Sequence, residues 1–192
     1  EDEIAQEQEE RKRRAEANAE FKSFAEKVVE QSKGTLDVDV PFRDLGFSGI
    51  FTKHNVLLQP TTDCLVQLTE PPFLVVTLTE VEVVYLERIL FSLKNFDIVF
   101  VLKDHSKPVA SINSVPVGSL EAVKDWLDSV DVPFFESKIN FNWPNILKTI
   151  AEDPVDFYEN GGWASLQPDE NGDSDGSEED EDQSSAYEPD DD

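Results

Sequence analysis

Residues 167–192, QPDENGDSDGSEEDEDQSSAYEPDDD, hold thirteen carboxylates and neither Lys nor Arg, so they carry half of the chain's formal net charge of -26. The chemistry open to such a run is charge pairing with a cationic surface. Three features suit it to a partner and not to solvation alone. Tyr187 is embedded near its end, Glu188-Pro189-Asp190-Asp191 gives a proline-stiffened acidic context, and Ser and Gly space the run. An aromatic side chain seated in a small pocket, with carboxylates meeting Lys and Arg around it, supplies orientation as well as charge. Ser177, followed by Glu178-Glu179-Asp180, resembles an acidophilic kinase site where phosphorylation would add negative charge. Because Tyr187 is its only large apolar side chain, the stretch buries too little to offset an ordering entropy of ~1–2 kcal/mol per residue, and it is expected to be disordered on its own.

Other reactive residue types do not assemble into a site. The segment NGDSDGSEEDED places Asp173, Asp175 and Gly176 at the third, fifth and sixth positions of a calcium loop, but Asn171 and Asp182 are wrong for its two ends and no helices are expected to flank it. His54, His105 and the single Cys64 have no metal-ligand spacing. Glu80 and Glu82, two apart, suit the solvated face of a strand better than a catalytic dyad. No phosphate-binding loop, dinucleotide fingerprint or nucleophile elbow occurs. The expectation is a protein that is not an enzyme and uses no cofactor or metal. A lone cysteine excludes an intrachain disulfide and fits a reducing compartment. No run approaches the roughly 20 apolar residues of a membrane span, the start EDEIAQEQEE does not resemble a signal peptide, and the absence of Met, at position 1 as elsewhere, fits a piece of a longer chain.

The rest of the chain must position this charge. Residues 1–34 carry ten acids and seven bases, and residues 35–166 carry nineteen and nine, so even the prospective globular part stands at -10. That charge repels phosphate backbones and anionic lipid, which disfavours direct nucleic-acid or membrane binding and favours a cationic protein partner. Residues 1–33 contain no Gly or Pro and read as one helix. Its stripe Phe21, Phe24, Ala25, Val28 and Val29 predicts that the second half docks on the domain while the first half projects. The basic run at 11–14 matches a nuclear-localisation or nucleic-acid patch, but the favoured reading is a solvated helix face pairing with Glu7, Glu9, Glu10 and Glu16 as ordinary helix support.

From residue 35 the texture is β-rich. Residues 36–40 alternate apolar and polar, Gly46 and Gly49 bracket a turn-rich connection, and strand-like runs follow at 55–59, 64–69, 74–78, 81–90, 96–103 and 109–114. Close spacing makes the sheet antiparallel. Val81, Val83 and Tyr85 share one face of a half-buried strand with Glu80 and Glu82 on the other. Ser119 then caps a helix with stripe Leu120, Val123, Leu127 and Val130, and Trp126 at its edge. This order predicts an α+β fold: a pleckstrin-homology-like antiparallel β-barrel capped by a C-terminal helix. It divides the chain into a connecting helix (1–34), the module (35–136), a short helical U-turn (137–166) and the acidic tail (167–192). The U-turn, with Asn142 as N-cap, Pro144 in the first turn and a reversal at Asp153-Pro154, carries more apolar surface than so short a piece buries internally. Part of it must dock on the barrel, and at least one of Ile146, Leu147 and Ile150 is expected to remain exposed to a partner.

The strings VPFRDLGFSG at 40–49, LLQPT at 57–61, LKNFD at 93–97, Asn142-Trp143, Thr149-Ile150, Asp153-Pro154 and Gly161-Gly162-Trp163 closely resemble the large subunit of the FACT histone chaperone over nearly the whole chain. The resemblance implies the second pleckstrin-homology-like module of that subunit's middle domain, then the U-turn segment and the acidic C-terminal domain. It also implies a nuclear, chromatin-associated histone chaperone that binds the histone 2A/2B dimer. The module pair is linked as well to the histone 3/4 tetramer, and the small FACT subunit is met through parts mostly outside this chain. By resemblance the U-turn contact residues are Ile139, Phe141, Ile146, Leu147, Ile150 and Phe157, and the tail contacts are Tyr187, Glu188, Asp190 and Asp191. The alternative is a generic pleckstrin-homology-like peptide-binding module with a solvating acidic tail; a phosphoinositide ligand would need a basic mouth that a module at -10 lacks.

Overall fold

The computed structural model describes residues 2–167; Ser177, Tyr187, Glu188, Asp190, Asp191 and the near-calcium loop lie outside the described residues. Helix α1 (Asp2–Gln31) is built from strong helix formers. Pairs Glu7–Arg11, Glu10–Arg14 and Lys12–Glu16 lie along its exposed surface. It ends where Lys33 and Gly34 turn to positive φ, 55° and 81°. The expected docking of its second half does not occur: Phe21 and Phe24 are 74% and 67% exposed, Val28 is exposed, and only Ala25 and Val29 are partly covered. Five apolar residues set among Glu20, Lys22, Glu26 and Lys27 offer little area, and helices from later in the chain already cover both faces of the best-buried strands.

Eight strands follow: β1 (Phe47–Phe51), β2 (His54–Pro60), β3 (Cys64–Gln67), β4 (Leu74–Thr77), β5 (Val81–Glu87), β6 (Asn95–Leu102), β7 (Ala110–Pro116) and β8 (Phe134–Glu136). Their order in the sheet is β4-β3-β2-β1-β7-β6-β5-β8, antiparallel except for the β5–β8 pair. Helix α2 (Leu120–Ser129) covers the inner face, then α3 (Trp143–Glu152), α4 (Pro154–Glu159) and a 3₁₀ turn (Gly162–Leu166) complete the described chain. The fold is α+β and pleckstrin-homology-like, a strongly twisted, mostly antiparallel sheet wrapped about one core with α2 against it.

That core gathers Phe47, Leu58, Leu65, Leu86, Ile98, Phe100 and Ile112 from the strands with Val123, Trp126 and Leu127 from α2. Each such side chain, fully buried, contributes ~1.5–3 kcal/mol of transfer free energy. Trp126 is central and not at the edge of the stripe; its Nε1 donates to the Thr61 carbonyl at 2.9 Å, which ties α2 to the β2–β3 corner. Ser119 precedes α2 but makes no side-chain cap, because a 3₁₀ turn over Val117–Ser119 feeds the helix directly.

Four expectations need correction. Residues 36–40 form no strand: Leu36, Val38 and Val40 are exposed, and Asp39 instead accepts hydrogen bonds from the Thr62 and Asp63 amides at 3.2 and 2.9 Å. Gly49 lies within β1 and not in a turn, since a Cβ there would sit 2.5 Å from Cγ2 of Ile112; the glycine serves close packing. Strand β8 was not anticipated; its pairing with β5 is parallel because the chain returns only after β6, β7 and α2. In β5 a register shift between Val81 and Val83 breaks the simple alternation. Val81, Val84 and Leu86 face the main core, Val83 and Tyr85 face outward, and both faces are covered.

Candidate partner-binding surface

The outward face of β5 and β6 presents Val83, Tyr85, Val99 and Val101, an apolar strip that water would otherwise meet. Residues 139–166 lie over it, inserting Trp143, Leu147, Ile150 and Trp163, with Phe141, Ile146 and Phe157 at the margin. Local sequence explains the shape. The Asn142 side chain accepts from the Asn145 amide at 3.3 Å and starts α3, the Asp153 side chain accepts from the Asp156 amide at 3.0 Å and starts α4, and each helix has Pro in its first turn. Gly161 and Gly162 then take φ of 102° and 57°, which turns the chain back so that Trp163 reaches the sheet.

Polar latches fix this appendage. Glu87, 2% exposed, accepts from Trp143 Nε1 at 2.7 Å, from the Phe141 amide at 3.2 Å and from Asn140 Nδ2 at 3.2 Å. Burial pushes the Glu87 carboxyl above its usual range; the Trp143 and Phe141 donors oppose that, and the neighbouring Asp97 adds to it. Asp97 is buried too, but it takes a bidentate pair from Arg88 at 2.6 and 2.7 Å and a 2.7 Å bond from the Ser114 amide. Burial alone would raise Asp97; Arg88 and the Ser114 amide outweigh it and hold the carboxyl below its ordinary value. The second latch is Glu82, which accepts from Trp163 Nε1 at 2.7 Å and from the Tyr158 hydroxyl, with His105 Nε2 also 2.7 Å away. Burial opposes these bonds, yet together they keep Glu82 below the usual carboxylate range. Tyr158 is pushed up to about 12 by burial and by its bond to Glu82. The Tyr85 hydroxyl donates to the Trp163 carbonyl, and Tyr85 packs on Trp143 and Phe141 with ring centroids 5.0 and 5.3 Å apart.

The sequence-predicted contact residues therefore divide. Leu147 and Ile150 are buried and Ile146 is partly buried, so the expected exposure of one of these three is not met; the strip on β5 and β6 takes all three. Phe141 and Phe157 are also partly buried in that seam. Ile139 is 53% exposed, and Val155 and Tyr158 on the outer side of α4 are 63% and 48% exposed. Val155 was not anticipated, because an apolar residue in so short a helix reads as packing. The latch carboxylates were missed as well; an acid two residues from Tyr85 on a buried strand was the available signal. Val155, the exposed part of Tyr158 and Glu159 share one shallow surface on α4, and the exposed Glu152, Asp153 and Asp156 lie close by in the chain, so this part of the appendage combines apolar projections with acidic character. Such a face suits a partner that is both basic and apolar. Among the described residues no group of three or more His, Cys, Asp or Glu is placed to hold a metal ion, and no helix is long and apolar enough to cross a membrane.

Residues 48–136 match the family described as the middle domain of Rttp106-like histone chaperones. The chain is 55% identical over 166 residues to the FACT complex subunit SPT16 of Kluyveromyces lactis, which covers 86% of this chain and 16% of that protein. It is 56% identical over 170 residues to the FACT complex subunit spt16 of Aspergillus fumigatus, covering 88% and 16%. With the Candida albicans FACT complex subunit SPT16 it shares 54% identity over 155 residues, covering 81% and 15%. The chain thus spans less than a fifth of the length of these curated relatives.

Proposed function

The chain belongs to the FACT large-subunit family, and from that premise we propose that it is a histone-binding segment that engages the histone 2A/2B dimer and shields the dimer's DNA-binding surface. The observation that carries this reading is the surface of α4, where exposed Val155 and part of Tyr158 lie with Glu159 in an acidic segment, on an appendage latched to the sheet by Glu82 and Glu87. Ile139, exposed at the Glu87 end of β5, offers a separate apolar projection, while Phe141, Ile146, Leu147, Ile150 and Phe157 act by holding the appendage in shape. In the acidic tail, Tyr187 with Glu188, Asp190 and Asp191 forms the second contact, an aromatic anchor with carboxylates that competes with DNA phosphates for histone Lys and Arg. Binding to the histone 3/4 tetramer, a place on chromatin in the nucleus and assembly with the small FACT subunit belong to the same reading.

The segment acts by binding, without catalysis. Glu82 and Glu87, partly or fully buried carboxylates, fix the appendage, and Asp97 is taken up by Arg88 and the Ser114 amide. Reversible shielding of the histone surface would let nucleosomes come apart and reform. Capture of the histone 2A/2B dimer at graded salt tests the reading, with the full chain, a chain ending at Leu166 and Tyr187→Ala compared side by side. Affinity should fall in the order full chain, Tyr187→Ala, truncated chain, and fall steeply with salt. Equal capture of all three, or of none, refutes the role of the tail.

A further inference from the structure

Between α3 and the loop joining β6 to β7 lies an open cleft of ≈ 390 Å³. Trp143, Leu147 and Val109 make its apolar floor, and His105, Lys107 and Lys148 stand at its rim. No carboxylate lines it, in a module where acids outnumber bases by nineteen to nine. Lys107 and Lys148 have Asp104 and Glu152 at 4.0 and 3.9 Å, but these are exposed pairs at the limit of contact, which leave both ammonium groups able to meet another anion.

The described chain passes this cleft at Trp163 and ends at Gln167, whose Nε2 donates to the Glu136 carbonyl on β8 at 3.3 Å. The Trp163 indole stacks edge-on to His105 with centroids 5.8 Å apart, and the 3₁₀ turn carries the backbone only ~8 Å further to Gln167. The 25 residues that follow can span ~80 Å when extended and contain thirteen carboxylates. We propose that this cleft binds the chain's own acidic tail, with the Tyr187 ring on the apolar floor and Glu188, Asp190 and Asp191 meeting Lys107 and Lys148. The tail is then held in cis by the appendage it follows, and a basic partner must displace it. Because the link is intramolecular, even a weak contact is populated, through an effective concentration in the millimolar range. The docking depends on the cleft and on the tail's charge, and not on histone being the partner.

Amide resonances of the isotope-labelled full chain test this directly. At low salt Tyr187→Ala should shift the amides of Ser106, Lys107, Val109, Lys148 and Ala151. Salt at ~0.5 M should shift them the same way, by screening the pairing. The double variant Lys107→Glu and Lys148→Glu, both at exposed positions, should abolish any further effect of Tyr187→Ala while the remaining resonances keep their positions. Cleft resonances unmoved by Tyr187→Ala, or shifts confined to other surfaces, overturn the proposal. Shifts that grow with protein concentration overturn the cis assignment in favour of a second copy. Failure of histone capture with the cleft shifts intact would remove the histone reading and leave the docking standing.

Discussion

Replacing Trp143 by Phe removes one N–H donor and part of one ring from the seam between α3 and the sheet. The lost bond is the 2.7 Å contact from Nε1 to the Glu87 carboxylate, an acceptor at 2% exposure that keeps only the Phe141 amide and Asn140. A bond to a charged group contributes ~1.5–3 kcal/mol, and the lost ring contact with Tyr85 adds ~1 kcal/mol, so the variant should be destabilised by ~2–4 kcal/mol. At ~2–4 °C per kcal/mol for a chain of this size, Tm should drop by ~5–15 °C. The loss should also depend on pH. Burial already raises the Glu87 carboxyl, so in the folded state its ionisation removes stability as pH rises through the folded value. Without the Trp143 donor the folded value rises further, and the difference between wild type and variant must be larger at neutral pH than in mild acid. Denaturant unfolding of both proteins across that interval, with Glu87→Gln closing a double-mutant cycle, measures the coupling. A penalty below ~1 kcal/mol, or one independent of pH, would show that the latch is apolar packing alone.

Further consequences follow from the same geometry. Glu82 is held below its ordinary range, so its contribution is present above the unfolded carboxylate value and is lost as pH falls through the folded one; hydrogen exchange in 154–166 should rise there before the β core opens. Glu82→Ala should produce that release at neutral pH, seen as faster exchange in 154–166 with the amides of β1 and β2 unchanged. Gly49→Ala should destabilise by ~1–3 kcal/mol in chemical denaturation, because the new methyl meets Ile112 at 2.5 Å. Phosphate at Ser177 should tighten binding of the tail to the histone 2A/2B dimer, and equal affinity of phosphorylated and plain chains would remove that role.

Much of the fold was legible because its signals are local. The strands from 55 to 114 declare themselves by β-branched and aromatic runs between turn residues, and α2 and α3 by apolar stripes that begin at Ser119 and Asn142. Where the reading failed, a distant partner decides the outcome. Gly49 is fixed by Ile112, β8 has three residues and depends on β5 for its pairing, and the register shift in β5 exchanges the faces of Val81 and Val83. Helix α1 failed in the opposite sense, since a local stripe of five apolar residues predicted a docking that so small an area does not secure. The candidate surface was half legible. The apolar excess of the appendage was visible in its composition, but which of its side chains point outward depends on the strip of Val83, Tyr85, Val99 and Val101 that consumes Leu147 and Ile150. Glu82 read as a solvated acid, because the alternation of a strand does not show which later segment will cover its outer face.

The most direct test of two cooperating contacts is calorimetric titration of the histone 2A/2B dimer into four chains: wild type, Tyr187→Ala, the exposed-site double variant Ile139→Ser with Val155→Ser, and all three changes together. None of the altered described residues is buried, so thermal stability should be retained. Each of the two partial variants should bind ~10-fold more weakly, a difference of ~1.4 kcal/mol, and the combination should lose more than either. Unchanged affinity for Ile139→Ser with Val155→Ser would contradict the α4 surface, and unchanged affinity in all four chains would contradict the account as a whole.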